Sequence, residues 1–121
     1  MSKIITEFES RHEFLRFLQH NPGFIVVKFG ASWCGPCKNI EPGLQKFFSK
    51  CPANVVCCDI DVDASSDLHS FMKSKKMVPG VPAVLVWEQG NTSFAPDYSH
   101  MGGDVREFTD FANSMLGMMS E

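Results

Sequence analysis

Residues 24–38 read FIVVKFGASWCGPCK and carry the strongest structural signal in this chain. Residues 24–29 are almost entirely apolar, which predicts a strand buried on both faces of a sheet. After a short loop, Pro36 is suited to the first turn of a helix. Apolar side chains then recur at helical spacing as far as Phe48, and Pro42 inside that helix is expected to kink it.

Strand and helix patterns alternate along the rest of the chain. We predict further strands around Ile4 and Ile5 and over residues 55–62, 83–87 and 92–101, the last made irregular by Pro96. Further helices are predicted over residues 10–18 with Ser10 as N-cap, after a cap at Ser65 or Ser66, and from Asp104. The order βαβαβα followed by ββα predicts an α/β fold with a central sheet of about five strands and four helices.

The size and charge of the chain restrict its possible functions. With 121 residues it is long enough for one compact domain and too short for two, so residues 1–121 are predicted to form a single domain. A net charge of −3 and the lack of a basic run give no reason to expect nucleic acid. The longest apolar runs, residues 24–27 and 81–87, are far short of the roughly 20 residues that a membrane span needs.

The N-terminal sequence predicts a cytoplasmic protein. Residues 1–7 contain no long apolar stretch before the first acidic residue, Glu7, so no secretory signal is expected. In the reducing cytosol, an odd set of five cysteines is not expected to form a structural disulfide framework.

Cys34 and Cys37 form a C-x-x-C pair, a spacing that occurs in zinc sites and in redox sites. A structural zinc site needs four ligands. The remaining cysteines are Cys51 and the adjacent Cys57 and Cys58. Neighbours on a strand point to opposite faces, so the adjacent two cannot both bind a metal beside the first pair. We therefore expect no metal site.

A redox role fits the predicted local structure of the pair. Cys34 falls at the N-terminus of a helix, where unpaired N–H groups and the helix dipole stabilise a thiolate. It is therefore predicted to be the nucleophile. Cys37, one turn further along the same face, is predicted to be less exposed and to resolve the mixed disulfide.

Residues 33–38, WCGPCK, match the active-site signature of the thioredoxin family letter for letter. Other landmarks of that family occur in order along the chain. They are Phe29 and Ala31 before the motif, Pro42 after it, Val81-Pro82 before an apolar strand, Gly90 after that strand, and a glycine near the end of the last strand. The chain therefore resembles the thioredoxin family over almost its whole length.

The resemblance implies the thioredoxin fold, in which a central mixed sheet is flanked by helices. It also implies dithiol–disulfide exchange with disulfide-containing protein substrates, serving cell redox homeostasis without a bound cofactor. The oxidised protein would be recycled by an NADPH-dependent thioredoxin reductase. The dipeptide Gly35-Pro36 is similar to that of the strongly reducing branch of the superfamily, and we expect a monomer.

The resemblance further implies a substrate groove beside the cysteine pair. It implies a cis peptide at Val81-Pro82, packed against the pair, and a Val81 backbone that hydrogen-bonds an extended substrate segment. The predicted substrate-binding residues are Trp33, Gly35, Pro36, Val81, Pro82 and Gly102. On the residues alone, Pro82 is equally compatible with an ordinary loop proline, because cis bonds are rare even before proline.

Lys28 is the main departure from the family pattern, which usually has a buried aspartate there to move a proton to or from the second cysteine. A charge inside an apolar strand needs a partner or a route to solvent. Asp59 stands at about the position where many members have a lysine, so one possibility is a charge-swapped pair in which Asp59 transfers the proton and Lys28 favours the Cys37 thiolate. The other is that Lys28 reaches the surface past the small Gly30.

The remaining candidate residues are predicted to have structural roles. Cys57 and Cys58 are expected to be buried as small apolar side chains. Cys51 is expected to be a surface thiol, with a regulatory or dimer-linking disulfide as the alternative. The four histidines lack the spacing of metal ligands and are expected at the surface: His12, His20, His69 and His100.

Two other functions stay open on the sequence. An interaction subunit would use the fold for binding alone, which Lys28 leaves open and the intact Cys34 and Cys37 oppose. A secretory oxidase or isomerase is opposed by Gly35-Pro36 and by the expected lack of a secretory signal.

Overall fold

The computed structural model describes residues 4–21 and 23–120. Its centre is a mixed sheet of four strands: β1 (Ile25–Gly30), β2 (Val56–Asp61), β3 (Ala83–Trp87) and β4 (Tyr98–Met101). The strand order is β2-β1-β3-β4, with β1 parallel to β2 and antiparallel to β3, and β4 antiparallel to β3. β1 is therefore an inner strand, and all six of its residues are buried, as its apolar sequence predicts.

Four helices cover the two faces of the sheet: α1 (Arg11–Gln19), α2 (Gly35–Lys50), α3 (Ser66–Ser74) and α4 (Val105–Met119). Because side chains alternate between the faces of a strand, β1 supplies Val27 and Phe29 to the core under α1 and α3, and Val26 to the core under α2 and α4. This three-layer arrangement confirms the α/β prediction. Within the described ranges, no helix is both long enough and apolar enough to cross a membrane.

Among the residues that the structure describes, the strand predicted around Ile4 and Ile5 appears as a single bridge. Ile5 pairs with Cys58 in parallel, through backbone hydrogen bonds to Cys57 at 3.1 Å and from Asp59 at 2.8 Å. Beyond it the chain leaves the sheet edge, because Phe8 is drawn into the core under α1 and α3. The described residues therefore contain a sheet of four strands, where the pattern predicted about five.

Side chains cap α1 and α4, and of the predicted caps Ser10 is confirmed whereas Ser65 is not. Ser10 accepts a hydrogen bond from Glu13 N at 3.2 Å, and Asp104 accepts one from Glu107 N at 2.9 Å. Ser65 occupies the N-cap position of α3 without capping it. Its hydroxyl accepts the N–H of Phe8 at 3.0 Å, which holds the segment before α1 against the start of α3.

The last strand is shorter than the predicted residues 92–101. Side chains fold the preceding residues into a turn, since Asn91 Nδ2 donates to Ala95 O and to Asp97 Oδ2, each at 2.9 Å. Phe94 from this turn packs on Phe71 with 4.5 Å between the ring centroids. The segment is therefore a structured cover over the core beneath α1 and α3.

Three cysteines lie outside the C-x-x-C pair. Cys58 is buried under α1 and α3 and Cys57 under α2 and α4, which confirms that the two neighbours are buried on opposite faces. Cys51, expected at the surface, is half-buried instead. It ends α2, where its Sγ lies 4.0 Å from Met119 Sδ of the packed helix α4.

Candidate active site

Cys34 and Cys37 are joined by a disulfide at the start of α2, with their Cα atoms 5.3 Å apart. Cys34 is the N-cap residue, and Gly35 and Pro36 form the first turn of the helix. Proline costs no hydrogen bond there, because N–H groups in the first turn have no acceptor within the helix. The N–H of Cys37 donates to Cys34 Sγ at 3.2 Å. Because a backbone N–H and a helix N-terminus are directed at this sulfur, they stabilise its thiolate once the pair is reduced.

The two cysteines do not differ in exposure. Each is 4% exposed, so the prediction that Cys37 is less exposed than Cys34 is wrong for the disulfide form, in which each sulfur shields the other. What distinguishes them is their surroundings. Cys34 follows the exposed Trp33, whereas Cys37 lines a cavity together with Lys28.

Lys28 is buried in an ion-pair cluster. The residue is 7% exposed, and its Nζ lies 3.2 Å from Asp59 Oδ1 and 3.4 Å from Glu41 Oε2. Lys28 and Asp59 are direct neighbours in the parallel pairing of β1 with β2. The structure therefore contains the charge-swapped pair, and the escape of Lys28 to the surface is wrong. Glu41 was not predicted, although its position one turn after Cys37 in α2 was an available signal.

Gly30 brings the lysine and the resolving cysteine together. A Cβ atom at Gly30 would lie 2.8 Å from Lys28 Nζ and 3.4 Å from Cys37 Sγ, so the ammonium and the sulfur border the same small volume. Lys28, Cys37 and Glu41 also line one cavity of about 430 Å³. A cation and a carboxylate thus line the same cavity as the Cys37 sulfur.

Trp33 projects from the site and is held at its edge. The side chain is 67% exposed, and its Nε1 donates to Asp63 Oδ2 at 2.9 Å. Asp63 lies just after β2 and is exposed. Its contact with Trp33 was missed because no local pattern links residues 30 positions apart.

Pro82 and Gly102 meet where β3 begins and β4 ends. The Val81-Pro82 peptide is cis, as the resemblance implies. The carbonyl of Pro82 accepts a hydrogen bond from Gly102 N at 3.0 Å. Gly102 has a φ of +94°, a conformation that favours glycine. The role of the Val81 backbone toward a substrate stays a prediction.

Gly103 packs the end of this segment directly on the C-x-x-C turn. A Cβ atom there would lie 2.7 Å from both the Cβ and the carbonyl oxygen of Pro36. The sequence singled out only the preceding glycine, and the Gly102-Gly103 pair was the signal that could have identified both.

His100 is the one histidine whose predicted surface position is clearly wrong. It is 8% exposed, and its ring packs against those of Phe108 and Phe111. Its Nε2 lies 3.1 Å from the carbonyl oxygen of Gly102. The prediction failed because His100 lies on the face of β4 that α4 covers. From this buried position its ring contacts the backbone of Gly102.

Comparisons with known proteins agree with this geometry. The family model Thioredoxin matches residues 5–112. The chain is 36% identical to thioredoxin from Coprinus comatus over 74 residues, and the aligned region covers 60% of this chain and 66% of that protein. It is 39% identical over 67 residues to mitochondrial thioredoxin from Bos taurus, covering 55% of this chain and 38% of that protein. The matches therefore span less than two thirds of these two relatives.

A solved structure extends the likeness to the whole fold. Thioredoxin from Trichomonas vaginalis superposes with a TM-score of 0.70 at 22% identity, covering 94% of this chain and 99% of that chain. The Cys34–Cys37 disulfide in the WCGPC motif has the arrangement of a dithiol–disulfide redox centre. Together with the family match over residues 5–112, it shows that this chain belongs to the thioredoxin family.

Proposed function

We propose that the protein is a disulfide reductase for other proteins, with Cys34 as the attacking thiolate and Cys37 as the resolving thiol. The observation that carries the proposal is the position of Cys34 Sγ at the start of α2, where it accepts the N–H of Cys37 at 3.2 Å. This environment favours the thiolate, which is the species that attacks a disulfide.

The reaction proceeds in two exchanges. The Cys34 thiolate attacks one sulfur of the substrate disulfide, and the other substrate sulfur leaves as a thiolate. Cys37 then loses its proton and attacks Cys34 Sγ, which releases the second substrate sulfur and leaves the Cys34–Cys37 disulfide. The substrate gains two electrons and two protons, and the protein returns to the oxidised state that the structure contains.

Lys28 and Asp59 act on the second exchange. The Lys28 ammonium and Cys37 Sγ border the same small volume beside Gly30, and the cation there favours the thiolate of Cys37. Asp59 holds Lys28 in place at 3.2 Å and, with Glu41, offers carboxylates toward which the proton of Cys37 can move. In this role Asp59 replaces the buried acid usual in the family.

The substrate groove runs from the exposed Trp33 across the C-x-x-C turn to the cis peptide. We assign to it Trp33, Gly35, Pro36, Val81, Pro82 and Gly102, as the resemblance implies. Support comes from the anchored indole of Trp33 and from the bond between Pro82 O and Gly102 N. An extended substrate segment would pair with the Val81 backbone.

The partners are disulfide-containing proteins on one side and an NADPH-dependent thioredoxin reductase on the other. No cofactor is needed, since the electrons move between sulfur atoms. We propose that the protein works as a monomer in the cytosol, where it maintains cell redox homeostasis. Imaging of the full-length natural protein tests the location, and a mitochondrial signal would contradict it.

Insulin reduction coupled to NADPH and a thioredoxin reductase tests the activity. The wild-type protein should reduce insulin with continuous NADPH consumption, whereas Cys34→Ser should give none. Cys58→Ala is a matched control, because it removes a cysteine that is buried outside the site, and it should keep the activity. A folded wild-type protein that binds a partner but reduces no disulfide would contradict the proposal and favour the interaction subunit.

A further inference from the structure

A second pair of cysteines faces a cavity at the far end of α2. Cys51 ends this helix and Cys57 lies in β2. Both line a cavity of about 560 Å³ whose remaining wall is mostly apolar, with Ile4, Phe48, Ala53 and Val55 among its residues. Cys37 and Cys51 are separated by fourteen positions along a helix, or roughly 20 Å. This cavity is therefore separate from the redox centre.

The two thiols interact with each other. Because Cys51 and Cys57 line the same cavity, each thiol acts on the other, which raises the pKa of Cys51 and lowers the pKa of Cys57. Burial further raises the pKa of Cys51, and the negative end of the α2 dipole acts in the same direction. Cys57 is therefore the thiol that ionises first, with Cys51 as its proton-bearing neighbour.

Cys58 provides an internal contrast. It adjoins Cys57 in sequence but points to the opposite face of β2, where it is fully buried under α1 and α3. Burial raises its pKa, and it does not line the cavity. Cys58 is therefore an internal control for Cys57. If the reactivity of Cys57 depends on the cavity, its sequence neighbour Cys58 should not react.

We propose that Cys51 and Cys57 form a second redox-active dithiol, which a hydroperoxide reaching it through this cavity converts into an intramolecular disulfide. The Cys57 thiolate attacks the terminal oxygen of ROOH, the O–O bond breaks, and the leaving alkoxide takes a proton to become ROH. Cys51 then attacks the sulfur of the Cys57 sulfenic acid, the S–O bond breaks, and the thiol proton of Cys51 passes to the departing hydroxide to give water. Overall, two thiols and ROOH give one disulfide, ROH and water. This chemistry does not depend on the reductase activity.

The test uses the Cys34→Ser/Cys37→Ser protein, in which Cys51, Cys57 and Cys58 are the remaining thiols. The folded protein is treated with one equivalent of hydroperoxide, then denatured, alkylated and mapped by mass spectrometry. We expect loss of two thiols, a Cys51–Cys57 cross-link within one chain, and a fully alkylated Cys58. Parallel arms with hydrogen peroxide and cumene hydroperoxide identify the source, because the faster reagent shows whether a small or an apolar hydroperoxide suits the cavity.

Two further variants in the same background keep the test decisive. Cys51→Ser should lose the cross-link, while Cys58→Ala should retain it, and circular dichroism confirms that each variant is folded. The proposal is overturned if Cys51 and Cys57 remain fully alkylatable, if the only disulfide joins two chains, or if Cys58 takes part in the cross-link.

Discussion

The ammonium nitrogen of Lys28 lies 3.2 Å from a carboxylate oxygen of Asp59, across the parallel pairing of β1 and β2. The same ammonium and Cys37 Sγ both border the small volume beside Gly30. A single buried cation therefore connects the resolving cysteine to the carboxylates of Asp59 and Glu41, and this connection can be tested from both sides.

Replacing the lysine should slow the resolving step. Lys28→Met keeps most of the volume and removes the charge that favours the Cys37 thiolate, so turnover of insulin should fall about fivefold to tenfold at neutral pH. The pH at which turnover is half-maximal should also move upward. Lys38→Met is the matched control, because Lys38 is exposed and lines the same cavity. Equal pH profiles for both variants and the wild type would remove Lys28 from the mechanism.

Removing the partner of the lysine should lower stability. Asp59→Asn leaves the buried Lys28 with Glu41, whose side chain is 42% exposed. The expected loss is about 1–2 kcal/mol in the free energy of unfolding, less than for a fully buried pair because Asp59 is itself partly exposed. Urea denaturation measures it. If Asp59 also transfers the proton, turnover falls in parallel, whereas unchanged turnover would leave it a purely structural role.

Gly103 should tolerate no side chain. A Cβ atom would lie 2.7 Å from the backbone oxygen of Pro36, so Gly103→Ala should displace the C-x-x-C turn and cost about 1–3 kcal/mol in stability. Gly80→Ala is the control, since no atom lies within 4 Å of the corresponding Cβ. Gly103→Ala should lower both the melting temperature and the rate of insulin reduction, whereas Gly80→Ala should change neither. Equal behaviour of the two variants would mean that the close contact has no consequence.

The anchored indole predicts a binding effect. Asp63→Ala removes the acceptor of Trp33 Nε1, and a freely rotating Trp33 should weaken substrate binding, raising KM for insulin about twofold to fivefold with little change in kcat. Asp110→Ala, an exposed change in α4, serves as control. A fall in kcat at constant KM would indicate that Trp33 acts on the chemistry instead.

The Arg11–Asp67 pair predicts a specific loss of stability in acid. Hydrogen bonds from Arg11 lower the pKa of Asp67 from 3.8 to about 2. Because the folded-state pKa is depressed, this contribution is present above pH 4 and is lost as the pH falls toward 2. Asp67→Asn should therefore be less stable than the wild type at pH 6 and approach it at pH 2. High salt should shrink the difference, since both side chains are exposed.

Local sequence signals predicted the frame of the site. The buried strand before the C-x-x-C motif and the helix after it were predicted because periodicity and Pro36 act within a few residues. The same holds for the cap at Ser10. The short pairing of Ile5 was mispredicted because its extent depends on contacts of Phe8 with a distant segment.

The surroundings of Cys37 were predictable only in part. Periodicity could not choose between a paired and an exposed Lys28, because the choice depends on the register of β1 against β2. Glu41, despite its helical spacing from Cys37, and the buried His100 were missed as well. Each acquires its environment from an element that is distant in the chain.

Trapping the mixed disulfide tests the central assignment most directly. With reduced Cys37→Ser protein and insulin, intact-mass spectrometry and peptide mapping should find a stable disulfide between Cys34 and an insulin cysteine. Cys34→Ser should form no such adduct under the same conditions. An adduct that forms equally well in Cys34→Ser, or that maps to Cys51 in the folded Cys37→Ser protein, would contradict Cys34 as the attacking thiolate.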